Sequence, residues 1–385
     1  MANTLYSFQT ARKIVSGPGS LDSIGDLVSG FGAKKAAILT DPGIVKTGLV
    51  DRPKALLEAA GLIVDIVAGV IPEPPLGLIE ELYAGLKDKG FDLLVGIGGG
   101  SSLDVTKILS VRLTSGCPVQ DFMGPETVKK PGLPMVLIPT TAGTGSEVTP
   151  NAIVTLPDQE LKAGIVSHHF LPDLVILDPM LTLGLPKHIT AATGMDAFIH
   201  SLESFISKKA NPFSDTFALR SMGLIGKSIR KAYFTGGDVE ARHDMLVGSM
   251  LGGMALTAAG TAAVHALAYP LGGKFGIPHG VANSMLLLPV MEFNFEAIIE
   301  QLAEVAGAMG LALGGSTSCK AQAVMDEIGS LVKELEIPQS LKRYGVKEQD
   351  LDALAAAASQ VTRLLGNNPK AMSVTDIKAV YSKIL

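Results

Sequence analysis

The chain changes rhythm at Asp178-Pro179, and that change constrains its fold more than any other feature. Before it, short apolar runs at 13–16, 36–40, 62–67, 92–97, 135–139, 152–155 and 174–177 alternate with helical stretches, as at 52–60, 78–89 and 102–115. A run that is apolar at every position must be covered on both faces. Strand–helix alternation of this kind predicts a mainly parallel sheet with helices on both sides. After Pro179 the strand-like runs stop. Helical periodicity takes over at 186–207, 212–232, 240–257, 261–271, 280–293, 296–309, 318–336, 347–365 and 374–384, punctuated by Pro and Gly. The expected fold is an α/β domain over residues 1–184 and an all-α domain over 185–385.

The 385 residues suffice for two such domains, and neither an internal repeat nor a low-complexity tract interrupts them. A formal net charge of −5 gives no reason to expect nucleic acid or an anionic membrane as partner. The two cysteines, Cys117 and Cys319, form no CxxC pair. The opening Met-Ala-Asn-Thr lacks the basic and apolar regions of a signal peptide, so a cytoplasmic location is expected. Residues 245–273 contain no Asp, Glu, Lys or Arg, which meets the length rule for a membrane span. The segment is Ala-rich, however, and holds six glycines, His265 and Pro270. It reads as a buried core helix, apolar all round, rather than as a membrane anchor.

Two loops follow apolar strands. In the first, Gly98, Gly99 and Gly100 precede Ser101 and Ser102 at a strand-to-helix turn. Backbone amides there can approach a phosphate closely, and the helix N-terminus adds free donors and a favourable dipole. The pattern is neither GxGxxG nor a Walker A loop. A tight turn needing positive φ is the competing reading. In the second, Thr140, Thr141, Thr144 and Ser146 offer four hydroxyls around Gly143 and Gly145, as a ribose and a pyrophosphate require. Asp41 closes the strand at 36–40. A carboxylate there suits the adenosine ribose of NAD and repels a 2′-phosphate. It equally suits an N-cap before Pro42.

The helical half carries a second constellation. Asp196 and His200 lie four residues apart in an apolar run, so they share one helix face. His265 and His279 stand in uncharged surroundings further on, whereas His168, His169, His188 and His243 read as surface residues. One carboxylate and three imidazoles suit Zn(II), Fe(II), Mn(II) or Co(II) alike.

These residues resemble the iron-containing (group III) alcohol dehydrogenases, nearly end to end. Residues 98–107, 139–149, 191–200 and 265–283 carry the resemblance. It implies a dehydroquinate synthase-like architecture, with a dinucleotide-binding α/β domain, a helical metal-binding domain and an active site in the cleft between them. It implies that Asp196, His200, His265 and His279 hold the metal, Fe(II) in most members and Zn(II) in some. The NAD pyrophosphate falls to Gly98–Ser102. Thr140, Thr141 and Thr144 line the cofactor site, with Ser146 and Thr149 counted beside them, and Lys162 lies near the ribose. Many members carry a second histidine four residues after the third ligand. This chain has Tyr269 there, a neutral donor near pH 7, so proton exit through a water or a cofactor hydroxyl is expected.

The implied activity is NAD-linked hydride transfer on a small alcohol or aldehyde, by a homodimer or larger homo-oligomer. A zinc polyol dehydrogenase of the glycerol type and a hydroxyacid–oxoacid transhydrogenase share the scaffold. The Asp196/His200 pair and the fourth ligand favour the iron type over the glycerol type. A non-catalytic nucleotide-binding protein has no use for three inward histidines. Val148, Asn151, Phe170, Tyr269 and Phe275 are expected to line part of the substrate pocket.

Overall fold

The computed structural model describes residues 5–156, 161–311 and 314–385. Its strands are β1 (Ile14–Ser16), β2 (Lys35–Leu39), β3 (Ile63–Val67), β4 (Leu93–Gly98), β5 (Gly124–Pro125), β6 (Met135–Pro139), β7 (Asn151–Leu156), β8 (Leu161–Val166) and β9 (Leu174–Leu177). The first helices are α1 (Ile24–Ser29), α2 (Pro42–Lys46), α3 (Asp51–Ala59), α4 (Leu76–Leu86) and α5 (Gly100–Ser115). There follow α6 (Lys187–Ile206), α7 (Pro212–Phe234), α8 (Val239–Ala259), α9 (Ala263–Phe275) and α10 (His279–Asn294). The last are α11 (Ile299–Ala308), α12 (Thr317–Glu334), α13 (Leu351–Ser359), α14 (Thr362–Leu365) and α15 (Val374–Lys383). Two compact units result. One holds Gln9–Thr141 and Gly145–Gly184; the other holds Leu185–Leu385 together with Ala142–Thr144.

In the first unit, six strands pair in parallel in the order β1-β9-β6-β4-β2-β3. The continuous apolar runs are there because each strand feeds two cores. Ala36 and Ile38 of β2 join Val95, Ile138 and Ile176 under Ile24 of α1 and Leu57 of α3. Their neighbours Ala37 and Leu39 face the other way, with Leu94, into Ile79 of α4 and Ile108 of α5. A period of two cannot show hydrophobic alternation when both faces are buried. The mainly parallel sheet expected for this half is therefore present.

The expected strand at 152–155 has a different place. As β7 it pairs antiparallel with β8, and β8 pairs in parallel with β5, in a separate three-stranded sheet. Lys162 and Gly164 interrupt the apolar pattern of β8, so its sequence is not a continuous apolar run. The short helix α2 is also an addition, begun by Asp41 as N-cap with Pro42 at its first turn.

The second unit is helical around one large core. The uncharged segment 245–273 spans the end of α8 and most of α9, which bend by 105° at Gly260-Thr261-Ala262. Gly260 makes the bend with φ 72°, and a Cβ there would lie 2.9 Å from Asn367 Nδ2. Among the described residues no single helix is long and apolar enough to cross a membrane. The helix expected at 347–365 is broken at Gln360-Val361 into α13 and α14, which lets α14 turn onto α9 and bury Leu364. Arg242 pins the start of α6, donating to the Leu185 carbonyl and, at 2.8 Å, to Thr190 Oγ1.

Two glycine substitutions test this packing with opposite signs. A Cβ on Gly96 of β4 would meet Thr106 Oγ1 at 2.6 Å and Leu137 Cδ2 at 2.9 Å. Gly96→Ala is expected to destabilise by about 1–3 kcal/mol through overpacking. Gly85 in α4 has nothing within 4 Å of its added Cβ, so Gly85→Ala should stabilise by about 0.5–1 kcal/mol. Thermal melts of the two variants check both directions.

Candidate metal centre

Helix α6 carries Asp196 and His200 on one face, and Glu203 completes an i, i+4, i+7 series on it. All three are buried. His265 sits in the first turn of α9, just past the bend. His279 opens α10 behind Pro278. Gly280 lets α10 approach α6: a Cβ there would lie 2.4 Å from the Ala192 carbonyl oxygen. Three helix segments thus bring four ligand atoms within 4.8 Å of one another. Asp196 lies 3.9 Å from His200 Nε2, 3.8 Å from His265 Nε2 and 3.9 Å from His279 Nε2.

The remaining ring nitrogens show which atoms face inward. His200 Nδ1 donates to the Gly143 carbonyl at 3.3 Å. His265 Nδ1 donates to Glu203 Oε2 at 2.6 Å. Each ring therefore turns its Nε2 lone pair toward Asp196. His265 Nε2 is buried and has no hydrogen-bond partner. An orphaned acceptor in the interior costs about 1–3 kcal/mol unless something binds it. The Asn283 amide donates to Asp196 Oδ1 at 2.7 Å and lies 3.1 Å from His279 Nε2.

The charge states of Asp196 and His200 suit a cation. Burial opposes ionisation of Asp196, but His200, His279, His265 and the Asn283 amide outweigh it and hold the carboxyl below its ordinary range. Burial keeps the His200 imidazole below its usual value, hence neutral and available as a ligand. Burial also lowers His265, yet the hydrogen bond and charge of Glu203, with Asp196, carry it above. A single carboxylate with imidazole nitrogens and no thiolate fits a borderline divalent ion. Tyr269, one turn beyond His265, has its ring centroid 6.2 Å from that of His279, and burial raises its hydroxyl, so it stays protonated near neutrality.

The first unit gathers the other singled-out residues. Gly98 adopts φ 147°, which favours glycine, and a Cβ there would meet Ser102 Oγ at 2.6 Å. The tight-turn reading therefore holds at Gly98. Gly99 and Gly100 need no such backbone, and no side chain caps the N-terminus of α5. The two loops lie side by side: Thr140 N donates to the Gly98 carbonyl at 2.9 Å, and Thr141 Oγ1 is 3.6 Å from a Cβ built on Gly99. Asp41 Oδ1 caps α2 through Gly43 N at 2.8 Å and Ile44 N at 3.0 Å. Its Oδ2 lies 3.5 Å from a Cβ built on Gly98, so the carboxylate also borders the glycine loop. Lys162 pairs with Glu73 at 2.5 Å, and the Glu73 amide donates to Ser101 Oγ at 3.2 Å.

Ser146 and Thr149 take part in a network that the sequence does not announce. Lys107 is fully buried and donates to Ser146 Oγ at 2.8 Å, Thr149 Oγ1 at 3.3 Å and the Asn151 carbonyl at 2.7 Å. Asp104 Oδ1 accepts from Ser146 Oγ, which closes the network. Val148 and Phe170, expected at the substrate pocket, are fully buried, Phe170 within the core beside α5. Neither has surface to offer a substrate. Glu203 and Asn283 escaped the sequence reading, although each follows a histidine of the cluster at helical spacing: Glu203 three after His200, Asn283 four after His279.

Comparison with known proteins agrees with this geometry. The family model for iron-containing alcohol dehydrogenase matches residues 11–179, and that for the C-terminal part of the Fe-containing alcohol dehydrogenase family matches 190–385. Long-chain-alcohol dehydrogenase 1 of Geobacillus thermodenitrificans is 41% identical over 374 residues, covering 95% of this chain and 93% of that protein. The crystal structure of a 1,3-propanediol oxidoreductase superposes with a TM-score of 0.95 at 36% identity, covering 99% of this chain and 100% of that one. A sulfoacetaldehyde reductase from Bifidobacterium kashiwanohense, solved with NAD+, gives a TM-score of 0.89 at 28% identity and covers 99% of each chain.

Glu147 supplies a pH test of the loop at 139–149. Burial, opposed by its own amide and by Lys107, raises its carboxyl from 4.5 to about 7. Below pH 4.5 the folded and unfolded chains both hold the proton, and burial of the acid costs little. Between 4.5 and 7 the unfolded chain loses its proton first, so stability falls; above 7 the full penalty applies, about 3 kcal/mol. Glu147→Gln is expected to melt at the parental temperature near pH 4.5 and clearly above it at pH 8.

Proposed function

The chain belongs to the iron-containing alcohol dehydrogenase family and is an alcohol dehydrogenase of that kind; from this premise we propose that it works with NAD(H) and Fe(II) on a small alcohol or aldehyde. The observation that carries the proposal is His265 Nε2, buried without a partner and facing Asp196 among three imidazoles. In this reading Asp196, His200, His265 and His279 hold the ion. With the three imidazoles bound as neutral ligands, one carboxylate would leave a divalent cation with net positive charge.

When bound, the ion supplies Lewis acidity toward the substrate oxygen, and the nicotinamide carries the hydride. The protein's own part is to fix and to exclude. Gly143 and Glu203 accept the outer N–H groups of His200 and His265, so both rings present lone pairs inward. The glycine loop offers the amides of the α5 N-terminus to the pyrophosphate. Thr140, Thr141 and Thr144, with Ser146 and Thr149, form the wall beside it, and Lys162 serves the nearby ribose. Asp41 accepts the adenosine ribose hydroxyls through the oxygen that borders Gly98. Tyr269 stays a neutral donor beside His279, and the proton leaves through water or a cofactor hydroxyl. The two domains take residues 1–184 and 185–385. Assembly as a homodimer or larger homo-oligomer, and a cytoplasmic setting, belong to the same reading.

Chelation tests the metal role. Exhaustive treatment with a chelator should abolish turnover of alcohols with NAD and of aldehydes with NADH, while NADH still binds by fluorescence titration; anaerobic Fe(II) should restore the rate. Full activity in the chelated protein would overturn the proposal.

Cofactor choice is tested at Asp41. Asp41→Gly keeps an acceptable N-cap on α2, at a cost of a few tenths of a kcal/mol. It should relax discrimination against NADP, read as the ratio of kcat/KM for the two cofactors. An unchanged ratio removes Asp41 from the ribose site.

A further inference from the structure

Glu203 is a carboxylate with no exposed surface, and nothing in the chemistry above asks it to touch substrate or cofactor. It nevertheless makes three short contacts. Oε1 accepts from Val264 N at 2.6 Å, while Oε2 accepts from Ala262 N at 3.0 Å and from His265 Nδ1 at 2.6 Å. Ala262 is the N-cap of α9 and has a backbone far from helical, at φ −133° and ψ −135°. No cap is provided by its own side chain. Glu203 therefore caps α9 from another helix and orients the first imidazole of α9 with the same carboxylate.

We propose that Glu203 is the positioning residue of the metal centre: it fixes the His265 tautomer and so keeps the site formed before any ion arrives. The argument is one of hydrogen-bond inventory. Oε2 faces a backbone N–H as well as His265 Nδ1, so it must act as an acceptor toward both. His265 Nδ1 then carries a proton, so in the neutral ring the lone pair lies on Nε2, which is buried without a hydrogen-bond partner. A carboxylate partner also raises the basicity of the imidazole it holds, which strengthens the ligand. His200 has only a neutral carbonyl at 3.3 Å in the equivalent position. Of the two rings, His265 is thus the more firmly set and the stronger donor.

Glutamine at 203 cannot reproduce this pattern. An amide presents one acceptor and one donor, whereas the site asks for three acceptances across both oxygens. If the amide nitrogen faces α9's first turn, Val264 N is left unpaired. If it faces His265, it donates to Nδ1 and moves the ring proton to Nε2, where it blocks the metal.

The inference rests on the metal reading above but not on the identity of the dinucleotide or substrate. The test compares Glu203→Gln with the parent by titrating the apoprotein with Co(II), followed by its visible absorption, and with Fe(II) under anaerobic conditions. NADH binding by fluorescence is measured alongside. The expected result is a roughly 10–100-fold weaker metal Kd with NADH affinity unchanged. Equal metal affinity in parent and variant overturns the inference. If the variant is insoluble, Glu203→Asp is titrated in its place and read by the same criteria. Loss of NADH binding together with metal binding in the soluble variant, or insolubility of both variants, makes Glu203 a fold residue and also overturns it. A parent protein that binds neither ion refutes the metal reading itself, an outcome separate from the first.

Discussion

A carboxylate buried among three imidazoles is the constraint on which the helical unit depends. Asp196 is only 3% exposed, and an unpaired charge in that setting would cost several kcal/mol. The surrounding residues answer that cost rather than avoid it: Asn283 donates to the acid, and three imidazoles surround it. Their own orphaned nitrogen, His265 Nε2, is satisfied only by a further partner. A helical core built to save stability would place leucine at these positions. The four side chains form a set that could hold a cation, and a bound ion would offset that cost.

The same logic of buried polar groups runs through the α/β unit with a different outcome. Lys107 is also fully buried, but its ammonium meets Ser146, Thr149, the Asn151 carbonyl and Asp104. No acceptor is left over there. Burial lowers the lysine, and Asp104 only partly restores it. This network fixes the end of the hydroxyl-bearing loop to the helix that begins at the glycine loop. The contrast separates the two kinds of buried polar cluster. The Lys107 network is closed, whereas the cluster at Asp196 keeps a buried nitrogen, His265 Nε2, without a hydrogen-bond partner.

Much of this was legible in the sequence because both signals are periodic. Runs apolar at every position give strands with two covered faces, and Ala36 through Leu39 feed both cores in strict alternation. Asp196 and His200 were legible through their i, i+4 spacing. What escaped the reading lacks such periodicity. Strand β8 carries Lys162 and Gly164 and pairs as a hairpin partner. Val148 and Phe170 look like pocket residues only until their full burial is known. Glu203 was hidden for another reason. An acid in a helix reads as solvated, and only the position of the α8–α9 bend shows that it meets two amides and an imidazole.

That bend also explains why residues 245–273 imitate a membrane span. A lysine or arginine near His265 would compete for Asp196 as an ion-pair partner and repel a cation from the cluster. A further acid would add buried charge that four ligands do not need. The acid that does reach His265, Glu203, comes from α6 rather than from this segment. Small residues serve close packing: a Cβ on Gly252 would lie only 3.0 Å from the Ala197 carbonyl oxygen of α6, and one on Gly248 only 2.7 Å from Ile225 Cγ1 of α7. The small residues of this nearly thirty-residue segment thus let α8 pack closely against α6 and α7. Hydropathy alone reads that composition as lipid-facing; the 105° turn at Gly260, and Glu203 reaching across to Ala262 N, mark it as helix packed inside the protein.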